Sequence, residues 1–205
     1  MDCKFSSGIK DVLVLVAHPD DETIFSGGTM LCYPNWNWTV ICSTWAKDSQ
    51  RYSEFQKAMD FFKRLGVNIV SYDSLENIDN GGRALTDKEM VQWENSVKNR
   101  GFSSDIILTH NVAGDYGHEE HKAINQISHK LFNNVWEFIC PGATNLGSQP
   151  YKSKKETINL NQEMIKKKVE LFNHCYISQQ GNWQNDLASV MSYEFESGIE
   201  IFTSN

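Results

Sequence analysis

The chain has 205 residues, 40% of them hydrophobic and 22% charged, with a formal net charge of −7. This is the composition of a soluble globular protein, long enough for one α/β domain with a full core. The acidic balance gives no broad electrostatic support to nucleic-acid binding, and no apolar run approaches membrane-spanning length.

Val12 to Val16 is an unbroken aliphatic run, short and rich in β-branched residues. It reads as a strand buried on both faces, as in the middle of a parallel sheet. Pro19 cannot continue a central strand, so the sheet should stop near His18. A first helix is expected from Glu22 to Tyr33, with Gly27 and Gly28 allowing close approach to the sheet. A second strand follows from Trp38 to Trp45. Gln50 to Leu65 places Phe55, Met59 and Phe62 on one helical face, and Gly66 stops that helix. Val67 to Tyr72 reads as a third strand and Asp73 to Ala84 as irregular. Thr86 and Glu89 form a capping box for a helix from Asp87 to Asn99. Asp105 to Thr109 is a fourth strand, His118 to Phe132 a fourth helix and Val135 to Ile139 a fifth strand. The alternation predicts a Rossmann-like, mostly parallel, doubly wound sheet in a single domain spanning residues 1–205. Beyond Pro141 the pattern changes. Gly142 to Ser153 reads as loop, Thr157 to Leu160 as a short strand, Gln162 to Tyr176 as a helix, and Ser189 to Phe202 as a last strand or hairpin.

Five cysteines, Cys3, Cys32, Cys42, Cys140 and Cys175, are odd in number and contain no CxxC pair. They read as reduced thiols in a cytoplasmic protein rather than a disulfide frame or thiolate zinc site. The lysines at 152, 154, 155 and 166–168 read as solvated surface.

Two segments carry chemistry. Ala17-His18-Pro19-Asp20-Asp21-Glu22 crowds an imidazole and three carboxylates behind the first strand. Such clusters fall outside the carboxyl ends of the strands, where open α/β sheets bind ligands. The second segment runs from Thr109 to His121 and contains His110, Tyr116, His118, Glu120 and His121 behind the fourth strand. His118 and His121 are three apart, on one face of a helix's first turn. The spacing is neither HExxH nor HxxEH. A catalytic zinc takes three protein ligands and leaves a fourth position open. His18, Asp21 and one histidine of the second segment meet that count, with Asp20 free to handle a proton. Each segment alone also suits ordinary capping residues; Glu22 in particular suits a helix-stabilising acid that accepts backbone donors.

Together AHPDDE and GDYGHEEH resemble the zinc-dependent de-N-acetylases of the PIG-L and LmbE-like family, over roughly residues 11 to 180 and including a late Ser178-Gln179 pair. The resemblance implies a Rossmann-like fold, one Zn2+ per chain, and removal of the acetyl group from an N-acetylated amino sugar. It makes His18, Asp21 and His121 the metal ligands, Asp20 the general base and His118 the histidine that supports the transition state. Tyr116 falls where some members face the oxyanion. Glu120 stands where many have aspartate and is expected to orient His118. Arg51 sits near an arginine that contacts polar or anionic substrate groups, although a surface arginine fits equally well. His110 either lines the pocket or caps its loop. Self-association stays open. The competing reading is a catalytically silent zinc- or carbohydrate-binding protein of the same fold. A nucleotide-binding Rossmann protein fits poorly, because HPDDETIFSGG has no G-x-G-x-x-G and places carboxylates where a pyrophosphate needs donors.

Overall fold

The computed structural model describes residues 8–141, 154–180 and 192–204. The elements run in order β1 (Asp11–Val16), α1 (Asp21–Cys32), β2 (Asn37–Thr44), α2 (Gln50–Arg64), β3 (Ile69–Asn77) and α3 (Asp87–Lys98). They continue with β4 (Ile106–Thr109), α4 (Glu119–Leu131), β5 (Val135–Ile139), β6 (Lys154–Asn159), α5 (Gln162–Cys175) and β7 (Ile199–Ser204). A 3-10 turn at Ile177–Gln179 follows α5.

The described strands form one sheet in the order β3-β2-β1-β4-β5-β7-β6. Strands β1 to β5 pair in parallel, whereas β7 joins β5 and β6 antiparallel. The expected doubly wound, mostly parallel sheet is therefore present, extended on one side by the antiparallel strands β7 and β6. The aliphatic run of β1 explains the layering. Its alternate residues Val12, Val14 and Val16 join the core under α1, α2 and α5, while Leu13 and Leu15 join the core under α3 and α4. A strand hydrophobic at every position is what a sheet covered on both faces requires.

Some boundaries differ from expectation. β3 continues through Asp73 to Asn77, so only the second half of the segment read as irregular is loop. The polar side chains of that half-exposed strand hide its alternation. β6 begins at Lys154, before the expected Thr157, because its polar first residues pair with β7 along the backbone ladder. The loop expected at 142–153 lies outside the described residues, as do 189–191 of the expected last strand. Cys42, Cys140 and Cys175 are buried free thiols and Cys32 is partly buried.

The antiparallel edge is tied to the parallel half by charge. Glu200 on β7 accepts from the backbone N–H groups of Gly28 and Thr29, both at 2.7 Å, and from the Thr29 hydroxyl. Lys168 on α5 donates to the same carboxylate at 2.7 Å and to the Glu194 carbonyl at 3.0 Å. Gly28 is required here, since a Cβ would stand 2.3 Å from Leu160 and 2.8 Å from Glu200. Lys168 was expected on a solvated surface; it is 1% exposed, because Glu200 supplies its counter-charge inside the protein.

Candidate metal centre

Because β1 and β4 are parallel neighbours, their carboxyl ends place two loops side by side. The hand-over is direct: the Ala17 N–H, at the end of β1, donates to His110 Nε2 at 2.9 Å across the strands. The chain then turns through Pro19 and Asp20 into α1. Asp20 caps that helix with φ of 114° and ψ of −32°, a conformation that costs a non-glycine residue about 1–3 kcal/mol. Neighbours hold it there. Its N–H donates to Glu22 Oε2 at 3.0 Å, and its carbonyl takes the Thr23 and Ile24 N–H groups.

The turn brings three donor atoms to one point. His18 Nδ1 lies 3.2 Å from His121 Nε2, His18 Nδ1 lies 3.4 Å from Asp21 Oδ2, and His121 Nε2 lies 3.5 Å from the same Asp21 oxygen. Zinc bonds of about 2.0–2.2 Å to nitrogen and oxygen give tetrahedral edges of about 3.3–3.6 Å. The triangle fits a single small cation. The chemistry of the donors fits as well, because each imidazole has its other nitrogen on a carboxylate. His18 Nε2 is 2.8 Å from Glu120 Oε2, and His121 Nδ1 is 2.8 Å from Asp115 Oδ2. With those nitrogens as donors, two lone pairs and a carboxylate oxygen face one another, which only a proton or a cation relieves. Without a metal, the proton goes to His18. Burial opposes its charge, yet the Asp21 and Glu120 carboxylates outweigh that and raise its pKa to about 10. Burial and the neighbouring His110 push His121 the other way, to about 3.

Glu120, expected to orient His118, holds His18 instead; its Oε2 is 3.8 Å from His118 Nδ1, beyond hydrogen-bond reach. Its other oxygen takes the Asn80 N–H at 2.5 Å, so the loop after β3 is fastened over the cluster. His110 neither lines the cleft nor merely caps a loop. It is fully buried and stacked on His121 with ring centroids 3.7 Å apart, and its Nδ1 shares Asp115 Oδ2 at 2.5 Å. Asp115 was not singled out from sequence, though it stands inside the GDYGHEEH segment. Its φ of 60° places it in the left-handed region that aspartate tolerates, and Asn111 donates to its second oxygen at 2.9 Å. The signal was the carboxylate itself, a few residues ahead of a histidine that needs an orienting partner.

Asp20 points into a cleft of about 230 Å³ lined also by His18, Asp21, Tyr116, His118, Arg51 and Gln179. Burial lifts its pKa to about 6, against the lowering effect of Arg51 and with a further rise from Asp21. Arg51 is buried rather than on the surface, and it lines the cleft with its Nη1 making no hydrogen bond. Its Nη2 donates to Asp20 Oδ2 at 2.9 Å and to the Pro19 carbonyl, bracing the strained turn. Glu54, one turn along α2, lies 3.6 Å from Arg51 Nη1 and accepts from the Ser178 N–H and hydroxyl. That bond pins the 3-10 turn to α2 and sets Gln179 in the cleft wall. Glu22 accepts the Asp20 backbone N–H, as expected, along with the hydroxyls of Thr23 and Tyr176 at 2.6 Å each. Burial raises its pKa to about 7. Burial, with His18 beside it, lowers the pKa of His118 from its ordinary value. Tyr116 is pushed well up by burial and by Asp21 and Asp20, and so keeps its O–H.

Among the described residues no helix is long and apolar enough to cross a membrane. Comparison with known proteins agrees with the architecture. An uncharacterized protein of Acanthamoeba polyphaga mimivirus is 29% identical over 185 residues, covering 82% of this chain and 72% of that protein. The structure of the pseudoaglycone deacetylase Dbv21 superposes with a TM-score of 0.67 at 11% identity, covering 94% of this chain and 95% of that one. GalB of Pseudomonas putida, a 4-carboxy-2-hydroxymuconate hydratase, superposes with a TM-score of 0.60 at 14% identity over 95% of each chain. These two structures show a shared fold that carries more than one reaction. The family model described as PIG-L, GlcNAc-PI de-N-acetylase, matches residues 13–132, from β1 to the end of α4 and so across both halves of the metal cluster. The chain belongs to the PIG-L family.

Proposed function

We propose that the protein is a metal-dependent hydrolase that removes the acetyl group from an N-acetylglucosamine-containing substrate. The observation that carries the reading is the triangle of His18, Asp21 and His121 donor atoms, 3.2–3.5 Å apart, opening on the cleft that Asp20 lines. In this reading those three residues hold one divalent ion, zinc by donor type. When bound, such an ion polarises an amide carbonyl and lowers the pKa of water to about 7.

The remaining work falls to the chain. Asp20, held by Arg51 and poised near pH 6, takes the proton of the attacking water and returns it to the amine nitrogen, which cannot leave as an anion. Tyr116 and His118 line the same cleft, and each presents an N–H or O–H to the oxygen that gains charge in the tetrahedral intermediate. Glu120 and Asp115 keep His18 and His121 aimed with their lone pairs inward. Family membership supports deacetylation over the hydratase chemistry of a protein sharing the fold.

The test is a panel of N-acetylglucosamine glycosides incubated with zinc-loaded protein, read by acetate and free amine. Release that stops on chelation supports the reading. Asp20→Asn that keeps both its metal and full turnover overturns the role given to Asp20. Metal bound without turnover across the panel leaves the silent binding protein instead.

A further inference from the structure

A second cavity, of about 400 Å³, adjoins the catalytic cleft. Trp45, Asp79 and Gly81 line both, so they form the partition and the passage between them. The outer cavity is built from the ends of β2 and β3, where the strand register slips between Cys42 and Thr44. Two residues there take left-handed backbone without being glycine, Trp45 at φ of 74° and Glu76 at φ of 58°. Ser74 secures the first by donating its hydroxyl to the carbonyls of Thr44 and Trp45, at 2.8 and 2.6 Å. A strained pair of strand ends, held by a buried serine, is a built feature. Its walls combine the Trp45 indole with Ile78, which is 74% exposed and the most exposed of the large aliphatic residues described. Its polar groups are Asn77 and the carboxylates of Glu76 and Asp79.

The charge of this lining is one-sided. Among the described residues the only lysine or arginine in either cavity is Arg51, which lines the inner cleft alone and whose Nη2 is held by Asp20 and the Pro19 carbonyl. Lys47 approaches Glu76 at 3.7 Å, but its ammonium sits on Asp73 at 2.9 Å. A phosphate placed there would face Glu76 and Asp79 with no free cation, a like-charge contact in a partly dry site. A neutral ring with one apolar face and hydroxyls at its rim suits both halves of the lining. The apolar face covers Trp45 and Ile78, and the hydroxyls donate to the carboxylates.

We infer that the outer cavity is a subsite for a second, uncharged sugar ring, so that the substrate is an oligosaccharide or neutral glycoside rather than a phosphodiester-linked one. This rests on the reading of the inner cleft as an amino-sugar site. The occupant is joined to the ring whose acetamide sits at Asp20, and its place is set by the shared Trp45.

Binding of amine products, which cannot turn over, tests the inference without using activity. Calorimetry on the zinc-loaded protein compares three probes: the methyl glycoside of glucosamine, a glucosamine-containing disaccharide, and glucosamine joined to a phosphorylated inositol. The disaccharide should bind about tenfold more tightly than the methyl glycoside, the increment expected of one covered apolar ring face, and should change the tryptophan fluorescence. Trp45→Ala and Ile78→Asp should each bring that ratio towards one. Ile78→Asp keeps the test open if Trp45→Ala fails to fold, since Ile78 packs against little. A wild-type ratio of one, a ratio unmoved by Ile78→Asp, or tighter binding of the phosphorylated probe than of the disaccharide overturns the inference. A preserved ratio in a protein that releases no acetate removes the deacetylase reading and leaves the subsite. No binding of any probe removes the sugar assignment of both cavities.

Discussion

Two of the places where the described residues bury charge differ in a way that separates structure from chemistry. At the antiparallel edge, Glu200 is fully enclosed and accepts from two backbone N–H groups, the Thr29 hydroxyl and the Lys168 ammonium. At the carboxyl edge of β1 and β4, His18, Asp21 and His121 turn acceptor atoms towards one another within 3.5 Å, and their proper donors are spent on the far side. The first network is satisfied by its own donors; the second is satisfied only by a proton on His18 or by a bound cation. Burial of charge alone therefore marks neither a site nor a scaffold. What marks the site is surplus acceptor capacity converging beside an open cleft.

The sharpest way to break this contrast is to empty the converging set. His121→Ala and Asp21→Ala should each reduce acetate release below detection and drop bound zinc, by plasma emission, well below one per chain. Circular dichroism should still show a folded α/β protein. Full zinc occupancy in either variant would mean the ion sits elsewhere. Next in size is Asp20→Asn, which should keep its zinc and lower kcat by about 10²–10⁴. In the wild type the same carboxylate should set the acid limb of activity. Its pKa lies near 6, it must be ionised to accept a proton, and so the rate falls as pH drops through 6. An acid limb near pH 4 would show that the carboxylate titrates as if it were in water.

The closed network should respond in stability rather than chemistry. Lys168→Met leaves Glu200 buried without its counter-charge, and breaking one side of such a pair costs about 3–5 kcal/mol. Urea denaturation should record that loss at neutral pH, and Lys168→Met combined with Glu200→Gln should recover part of it. A single variant as stable as the wild type would show that backbone donors alone satisfy Glu200.

How much of this the sequence displayed follows the same divide. The aliphatic runs of β1 and β4, the capping box at Thr86 and the amphipathic face of α2 are local patterns, and the structure reproduces them. The two polar segments were also legible, because histidine and carboxylate crowd within a few residues behind each strand. Pairings set by topology leave no such trace. Lys168 meets Glu200 across 32 positions, Ser178 meets Glu54 across 124, and Glu200 meets Gly28 across 172. Arg51 reads as a surface or substrate residue until β2 and α2 place it under Asp20. Glu120 was paired with His118, two residues before it, whereas α4 turns it towards His18. The antiparallel edge was hidden for a related reason: its exposed strand β6, KKETIN, is polar on most positions and is recognised by its backbone partner rather than its pattern.

Glu22 stands between the two networks and gives the smallest expected effect. It is fully buried, takes three donors including the Tyr176 hydroxyl, and supports the Asp20 turn without facing the cleft. Burial raises its pKa from the ordinary 4.5 to about 7. The folded chain therefore holds a proton on Glu22 between pH 4.5 and 7 that the unfolded chain has released. By linkage the native state is favoured at the lower end of that window and loses this contribution as pH rises through 7. Glu22→Gln removes the proton exchange and keeps an acceptor oxygen for the Asp20 N–H. Its unfolding free energy, followed in urea from pH 5 to 8, should show a shallower decline with pH than the wild type's. Parallel curves would place the proton on a neighbour, and a steeper decline in the variant would mean that Glu22 is ionised throughout and stabilised by its donors, as Glu200 is.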